Sequence, residues 1–247
     1  MKFLSDFYSE SPDKQVSISA TQGNDFAKFI ADDFNPIHDT HSKRFCVPGD
    51  LLFAIALERY GLYESMSFQF RELVKADTPL TYPEASMPPT DFDVICDRSK
   101  PVLGVKYEGA GLIDASNARC SEKVEQLIRS YVVFSGQNFP NILVPLMLEH
   151  NVMINPTRPL VIYESMSLHF DRFDYDKLNI TLSRTELEVL GKRGNAKLYF
   201  RLNDGVEQIG TGSKQLVLSG LREYDQQLID IMCENYNSSK NQQLAQN

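Results

Sequence analysis

LYESMSFQF, residues 62–70, returns as IYESMSLHF at residues 162–170. The shared pentapeptide YESMS and the closing phenylalanine, Phe70 over Phe170, stand at one constant offset of 100. Both copies read as strands. Met66, Phe68 and Phe70 alternate with Ser65, Ser67 and Gln69, and Met166, Leu168 and Phe170 alternate with Ser165, Ser167 and His169. A period of two gives each strand one apolar and one polar face.

Upstream of each strand lies a second similarity in the same order. FIADDFNP (29–36) resembles FSGQNFP (134–140), with Phe29 over Phe134 and Phe34 over Phe139 at an offset of 105, so the first copy is five residues longer between this motif and its strand. Two similarities in one order point to an internal duplication. The first half, 1–115, reads as an amphipathic helix over 24–33 with Asn24 as N-cap and Phe26, Phe29 and Ile30 on one face, a Pro-containing loop, and a wholly apolar helix from Pro48-Gly49 to Gly61. Strands follow at 65–74, 91–97 and 101–108. The second half, 116–236, reads as a helix near 121–135, a buried helix near 141–150, strands near 161–171, 178–190, 195–203 and 206–218, and a last helix near 222–236. The polar tail 237–247 is expected to be disordered. A helix apolar all round needs cover on every side, and here the sheet that follows is expected to supply it. That arrangement is a hotdog. Two copies pairing edge to edge give the expected fold: α+β, a double hotdog of two long buried helices, each wrapped by an antiparallel sheet.

The bulk composition narrows the function. The chain has 247 residues, 42% hydrophobic and 23% charged, with a net charge of −8 and no Lys/Arg cluster, which makes it a poor nucleic-acid binder. The longest apolar runs, LLFAIAL (51–57) and ILVPLML (142–148), hold seven residues each. A membrane span needs about 20. The opening MKFLSDFYSESPD has no signal-peptide core. Cys46, Cys96, Cys120 and Cys233 are scattered without a CxxC pair, against a zinc ribbon or a disulfide scaffold, and no metal site is expected. The expectation is a soluble, cytoplasmic protein that meets a small molecule or another protein.

The segment DFNPIH (33–38) is where chemistry is expected. Pro36 fixes its own φ and pushes Asn35 out of the helical region, so Asp33 and His38 flank a rigid turn and can converge on one water. A desolvated carboxylate and an imidazole are the usual pair for general acid–base work.

Asp33, Asn35, Pro36 and His38, followed by Pro48-Gly49 and a buried helix, resemble the MaoC-type (R)-specific enoyl-thioester hydratases of the hotdog superfamily; SFQFRELVKADTPL (67–80), with Asp77 ending the strand, is similar to the segment that follows in that family. The likeness covers residues 20–80 and implies a lyase that adds water to a 2-enoyl thioester to give a (3R)-hydroxyacyl thioester. Asp33 and His38 would hold and polarise the water, the Gly49 amide at a helix N-terminus would receive the thioester oxygen, and Asn35 would hold the loop. No cofactor is implied beyond coenzyme A or an acyl carrier protein as the substrate's carrier, and the tandem unit could pair as a homodimer.

In the second copy Asn138 stands opposite Asp33 and no histidine follows Pro140, the pattern of a tandem protein with one live site. Lys43 and Arg44 could meet a carrier's phosphates or acidic surface, His41 could stand at the mouth, and His169 reads as a surface or interface histidine. The loop from His38 to Gly49 is shorter than is usual for the family, and Asp50 adds an acid beside the oxyanion position. These departures leave two alternatives: a non-catalytic acyl-thioester-binding protein, or a thioesterase using Asp50 or Glu58.

Overall fold

The computed structural model describes residues 3–84, 90–97, 99–112 and 118–244. Two short strands, β1 (Ser9–Glu10) and β2 (Val16–Ser17), lead into helix α1 (Ala20–Asp25). Ser19 starts this helix. Its hydroxyl accepts the Gln22 N–H at 3.1 Å, and the Gln22 side chain accepts the Ser19 N–H at 3.0 Å. This closed capping box starts the helix upstream of the expected Asn24. A π-helical turn, Phe26–Ile30, follows. Its extra residue per turn rotates the side chains that come after, so Phe26 is buried while Phe29, expected on the same face, is 47% exposed.

A 3₁₀ turn (Pro36–His38) precedes α2 (Gly49–Tyr60), which stops at Gly61 as expected. Leu51 through Leu57 are each no more than 2% exposed. The cover comes from two sides rather than from the sheet alone: Phe53 meets Phe68 of strand β3 (Leu62–Phe70) at 4.9 Å between centroids, and meets Tyr131, in the helix that opens the second half, at 5.0 Å. β3 ends at Phe70 rather than at 74. Asp77, expected at the strand's end, instead occupies a left-handed turn position (φ 58°) whose N–H reaches the Ile18 carbonyl at 2.8 Å. β4 (Leu80–Thr81), β5 (Asp91–Cys96) and β6 (Pro101–Leu112) complete the first half.

The second half departs further from expectation. Its long helix is α3 (Ala118–Gly136), which buries Leu127, Ile128, Tyr131 and Val132. In place of a single buried helix over 141–150 there is a π-helical turn, Phe139–Leu143, and a short α4 (Val144–Glu149) with Leu148 exposed. Pro140 and Pro145 each remove an amide donor, so neither can sit deep in a continuous α-helical ladder. The expectation of two long all-round-buried helices therefore holds for α2 only. β7 (Val152–Met153), β8 (Val161–Phe170), β9 (Leu178–Leu190), β10 (Arg193–Asp204), β11 (Glu207–Ser219) and β12 (Arg222–Glu223) follow, then α5 (Gln226–Leu244). α5 continues through most of the polar tail that composition alone marks as disordered.

The fold is thus a mixed α+β arrangement on a large antiparallel sheet of ten strands, in the order β1-β2-β4-β5-β6-β3-β8-β11-β10-β9, with β7 and β12 paired apart from it. The two copies of the repeated strand meet within it, with six strands on one side of the join and four on the other. Ser67 faces Ser167, Met66 faces Leu168, Phe68 faces Met166, Ser65 faces His169 and Gln69 faces Ser165. Every pair is the mirror of another about the Ser67–Ser167 pair, the self-complementary pattern of a two-fold interface within one chain. Met66, Phe68, Met166 and Leu168 point into the core from the join. Among the described residues no helix is long and apolar enough to cross a membrane.

Candidate active site

The turn that carries the site is built residue by residue. Asp32 takes a left-handed backbone conformation (φ 51°) that ends the π-helical turn, and the Asp33 N–H returns to the Ala27 carbonyl at 2.8 Å. Asn35 is extended, as the residue before a proline must be. Its N–H donates to Asp33 Oδ1 at 2.9 Å, and its own Oδ1 accepts the Ile37 N–H at 3.1 Å, capping the 3₁₀ turn. Asn35 therefore holds the loop.

The loop 39–48 folds back on the turn. The Cys46 N–H meets the Ile37 carbonyl at 3.2 Å, and the Cys46 carbonyl lies 2.8 Å from His38 Nδ1. A carbonyl only accepts, so Nδ1 carries a hydrogen and Nε2 is left to face Asp33. Nε2 and Asp33 Oδ2 are 3.5 Å apart, both side chains mostly shielded from solvent. The short loop thus fixes the histidine ring.

Asp33 and His38 open into a cavity of about 460 Å³ whose wall also includes Asn35, Gly49 and Asp50. All four expected site residues therefore share one crevice at the amino end of α2. Helix geometry leaves the first amides of α2 without intrahelical partners, and Pro48 supplies no side-chain cap. Gly49 itself is closely covered, since a Cβ there would sit 3.1 Å from the Phe70 ring and 3.2 Å from the Tyr163 ring. The acid's position depends on a second close approach. A Cβ on Gly136 would lie 2.0 Å from the Ala31 carbonyl oxygen and 3.0 Å from Asp33 Cβ, so only glycine lets the end of α3 press against the turn.

The second half furnishes the opposite wall. Lys214 donates to the Ser135 hydroxyl, which in turn lies 2.5 Å from Asp50 Oδ2. Lys214 also stands 4.1 Å over the Tyr163 ring, and the Tyr163 and Tyr131 hydroxyls are hydrogen-bonded. Asp50 is 7% exposed and Lys214 4%. Burial pushes the Asp50 carboxyl up, against the opposing pull of Lys214 and of the Ser135 hydrogen bond, and burial pushes the Lys214 ammonium down, against Asp50 and Asp33. The Cys46 thiol is pushed up to about 12, by burial first and by the charge of Asp33 second. Asn138, opposite Asp33 in the repeat, lines this same cavity, its Nδ2 donating to the Phe134 carbonyl at 2.6 Å.

Lys214, Ser135 and Tyr163 escape a reading by motif. Lys214 did leave a trace: it occupies the inward parity of β11, shared with Leu216 and Leu218, where a lysine is out of place. Lys43, Arg44 and His41 are exposed and stand outside the cavity wall; the basic side chain on that wall from the first half is Arg71, paired with Asp93 at 3.1 Å. His169 lies on the outer face of the sheet beside the Ser65 hydroxyl at 2.9 Å. Glu58 accepts from the Tyr8 hydroxyl at 3.0 Å, toward the far end of α2, and is not part of the wall.

A family model described as "Protein of unknown function (DUF3581)" matches residues 2–227. No curated protein matches the chain. Among solved structures the chain is similar to an acyl-CoA thioesterase II from Mycobacterium marinum, at 8% identity and a TM-score of 0.43, covering 90% of this chain and 98% of that one. It is also similar to a protein described as an oleoyl thioesterase from Lactobacillus plantarum, at 8% identity and a TM-score of 0.31, covering 82% and 89%.

Proposed function

The chain belongs to the DUF3581 family of proteins of unknown function, and from the crevice itself we propose that it is a tandem double hotdog, halves 1–115 and 116–236, that hydrates 2-enoyl thioesters or dehydrates (3R)-hydroxyacyl thioesters. The observation that carries this reading is the Asp33–His38 pair: 3.5 Å apart, the ring fixed by Cys46, at the amino end of a buried helix. At 3.5 Å the two groups are too far apart for a strong direct hydrogen bond. A water set against both donates one hydrogen to Nε2 and one to Oδ2, which leaves an oxygen lone pair for C3 of the substrate.

As the oxygen–C3 bond forms, the C2=C3 electron pair moves toward the thioester carbonyl. The charge that gathers on that oxygen is received at the Gly49 end of α2, by backbone N–H groups and the helix dipole. The proton released by the water passes to the pair and then to C2, so water is added across the double bond with no other reactant. The thioester is carried by coenzyme A or an acyl carrier protein.

The test is the loss of enoyl-thioester absorbance with short and medium enoyl-CoAs. Wild-type protein should turn over at least one of them, and Asp33→Asn and His38→Gln should fall by about 10²- to 10⁴-fold. No turnover at any chain length, or unchanged rates in both variants, rejects the reading.

A second reading, hydrolysis of the thioester, is favoured by Asp50, a buried carboxylate in the first turn of α2 braced by Ser135 and Lys214 from the other half. Release of free thiol from acyl-CoA separates the two. Hydrolysis abolished by Asp50→Asn but not by His38→Gln would favour it over hydration.

A further inference from the structure

We propose that α5 is a positioning element for the site: Tyr236 and Lys240 lock Asp32 in its left-handed conformation, and that conformation aims the Asp33 carboxylate at His38. The inference rests on the reading of Asp33 and His38 as the reactive pair. Asp32 is not a glycine, yet it has a φ of 51°. An aspartate enters this region more readily than most residues but still less readily than glycine, so contacts that fix it there define the direction of the chain that follows.

Here the hold comes from three side chains. Lys240 Nζ lies 2.5 Å from Asp32 Oδ2, and Gln137 Nε2 donates to the same oxygen at 2.7 Å. The Tyr236 hydroxyl stands 3.1 Å from the Asp32 carbonyl and 3.0 Å from the Gly136 carbonyl, one proton between two acceptors. It therefore ties the turn before Asp33 to the end of α3, the same contact that Gly136 permits. The Tyr236 ring packs edge-on against Phe34 at 5.9 Å and tilted against Phe139 at 6.2 Å, and so reaches both copies of the repeated motif.

α5 touches the rest of the molecule through a single stripe. Ile229 and Tyr236 are its buried residues among those whose side chains are described, with Leu228, Met232, Cys233 and Lys240 partly covered. These positions recur every three or four residues along one face. Met232, Asn235 and Tyr236 form part of the cavity wall. The charges of Asp33 and Asp32 both act on the Tyr236 phenol and, with burial as the larger cause, push it up, so its hydroxyl remains a donor across ordinary pH. Gln137 and Tyr236, both neutral donors, and the Phe34 ring face the Asp32–Lys240 pair, and among the described residues Asp32 is the acid within ion-pairing distance of Lys240.

The test uses ligand-free full-length protein with ¹⁵N-labelled histidine. Asp33→Asn sets the scale by shifting the His38 Nε2 resonance. Lys240→Ala and Tyr236→Phe should each move that resonance in the same direction, while Lys240→Arg returns it toward wild type. On an enoyl thioester that the wild type converts, kcat in Lys240→Ala should fall by about ten- to a hundredfold with KM little changed. If Asp33→Asn moves the resonance while Lys240→Ala and Tyr236→Phe leave it in place, the positioning role is overturned and the reactive pair stands. If Asp33→Asn leaves it in place too, the pair is uncoupled and both ideas fall. A wild type that turns over no thioester removes the proposed reaction alone, and the resonance decides the positioning role.

Discussion

The two copies of the repeat share a strand but differ in the turn before the helix. In the first, Asp33-Phe34-Asn35-Pro36 makes an Asx-capped turn, and the loop 39–48 then folds back to grip His38 through Cys46. In the second, Asn138-Phe139-Pro140 runs straight into a π-helical turn with no loop and no histidine. The difference is small in sequence and large in chemistry. An asparagine before the proline gives the first turn a side chain that replaces backbone hydrogen bonds. A phenylalanine there cannot do so, and the chain continues as helix. The second copy is not idle, because it lends Ser135, Asn138, Tyr163 and Lys214 to the cavity that Asp33 and His38 open into.

Making the first copy resemble the second is the sharpest way to break that contrast. Asp33→Asn places the second copy's residue in the first. It should lower the proposed hydration by roughly 10²- to 10⁴-fold, with the melting temperature nearly unchanged, in an absorbance assay paired with a thermal melt. The next largest effect falls on the second copy's contribution. Lys214→Met strands Asp50 without its cation. Urea unfolding should show a loss of about 3 kcal/mol, at the low end for a broken buried pair because Asp50 can take up a proton. Gly136→Ala, which drives a methyl group into the Ala31 carbonyl, should cost about 1–3 kcal/mol by the same method and should also depress activity by displacing Asp33.

A pH series sharpens the role of the buried pair. Burial holds the Asp50 carboxyl above its usual range, so over the pH interval between its unfolded and folded values the folded chain holds a proton there that the unfolded chain gives up. The stability this proton contributes is full below the unfolded value, about 3.9, and drains away as pH rises through the folded value. Relative to an Asp50→Asn/Lys214→Met double variant, wild type should therefore lose stability as the acid range is left behind, measured as unfolding midpoints in urea. The smallest effect is expected at the join. Ser67→Lys with Ser167→Glu places opposite charges across β3 and β8, and should differ from Ser67→Lys with Ser167→Lys by about 0.2–1 kcal/mol.

Much of the fold was legible from pattern. The repeated strand, the all-apolar α2 with its stop at Gly61, and the long strands of the second half follow from periods of two and from a run of seven apolar residues. The misreadings have local causes. Asn24 looked like a cap because it precedes an apolar run, but the Ser19–Gln22 box is the stronger start signal. The stretch ILVPLML (142–148) looked like a second buried rod because composition does not register what two prolines do to a helical ladder. The tail looked disordered because Lys240 is polar, although its partner, Asp32, lies 208 residues away.

The sequence by itself determined the repeat, the rod and the pairing of an acid with an imidazole across a rigid turn, because each depends on neighbours within a few residues. Only the tertiary structure decided that one cavity serves both copies, that Asp50 is braced by Lys214 through Ser135, and that the last helix reaches back to the residue before the acid. Those contacts join residues 79 to 208 positions apart, and are set by how the halves pack rather than by any local preference of the chain.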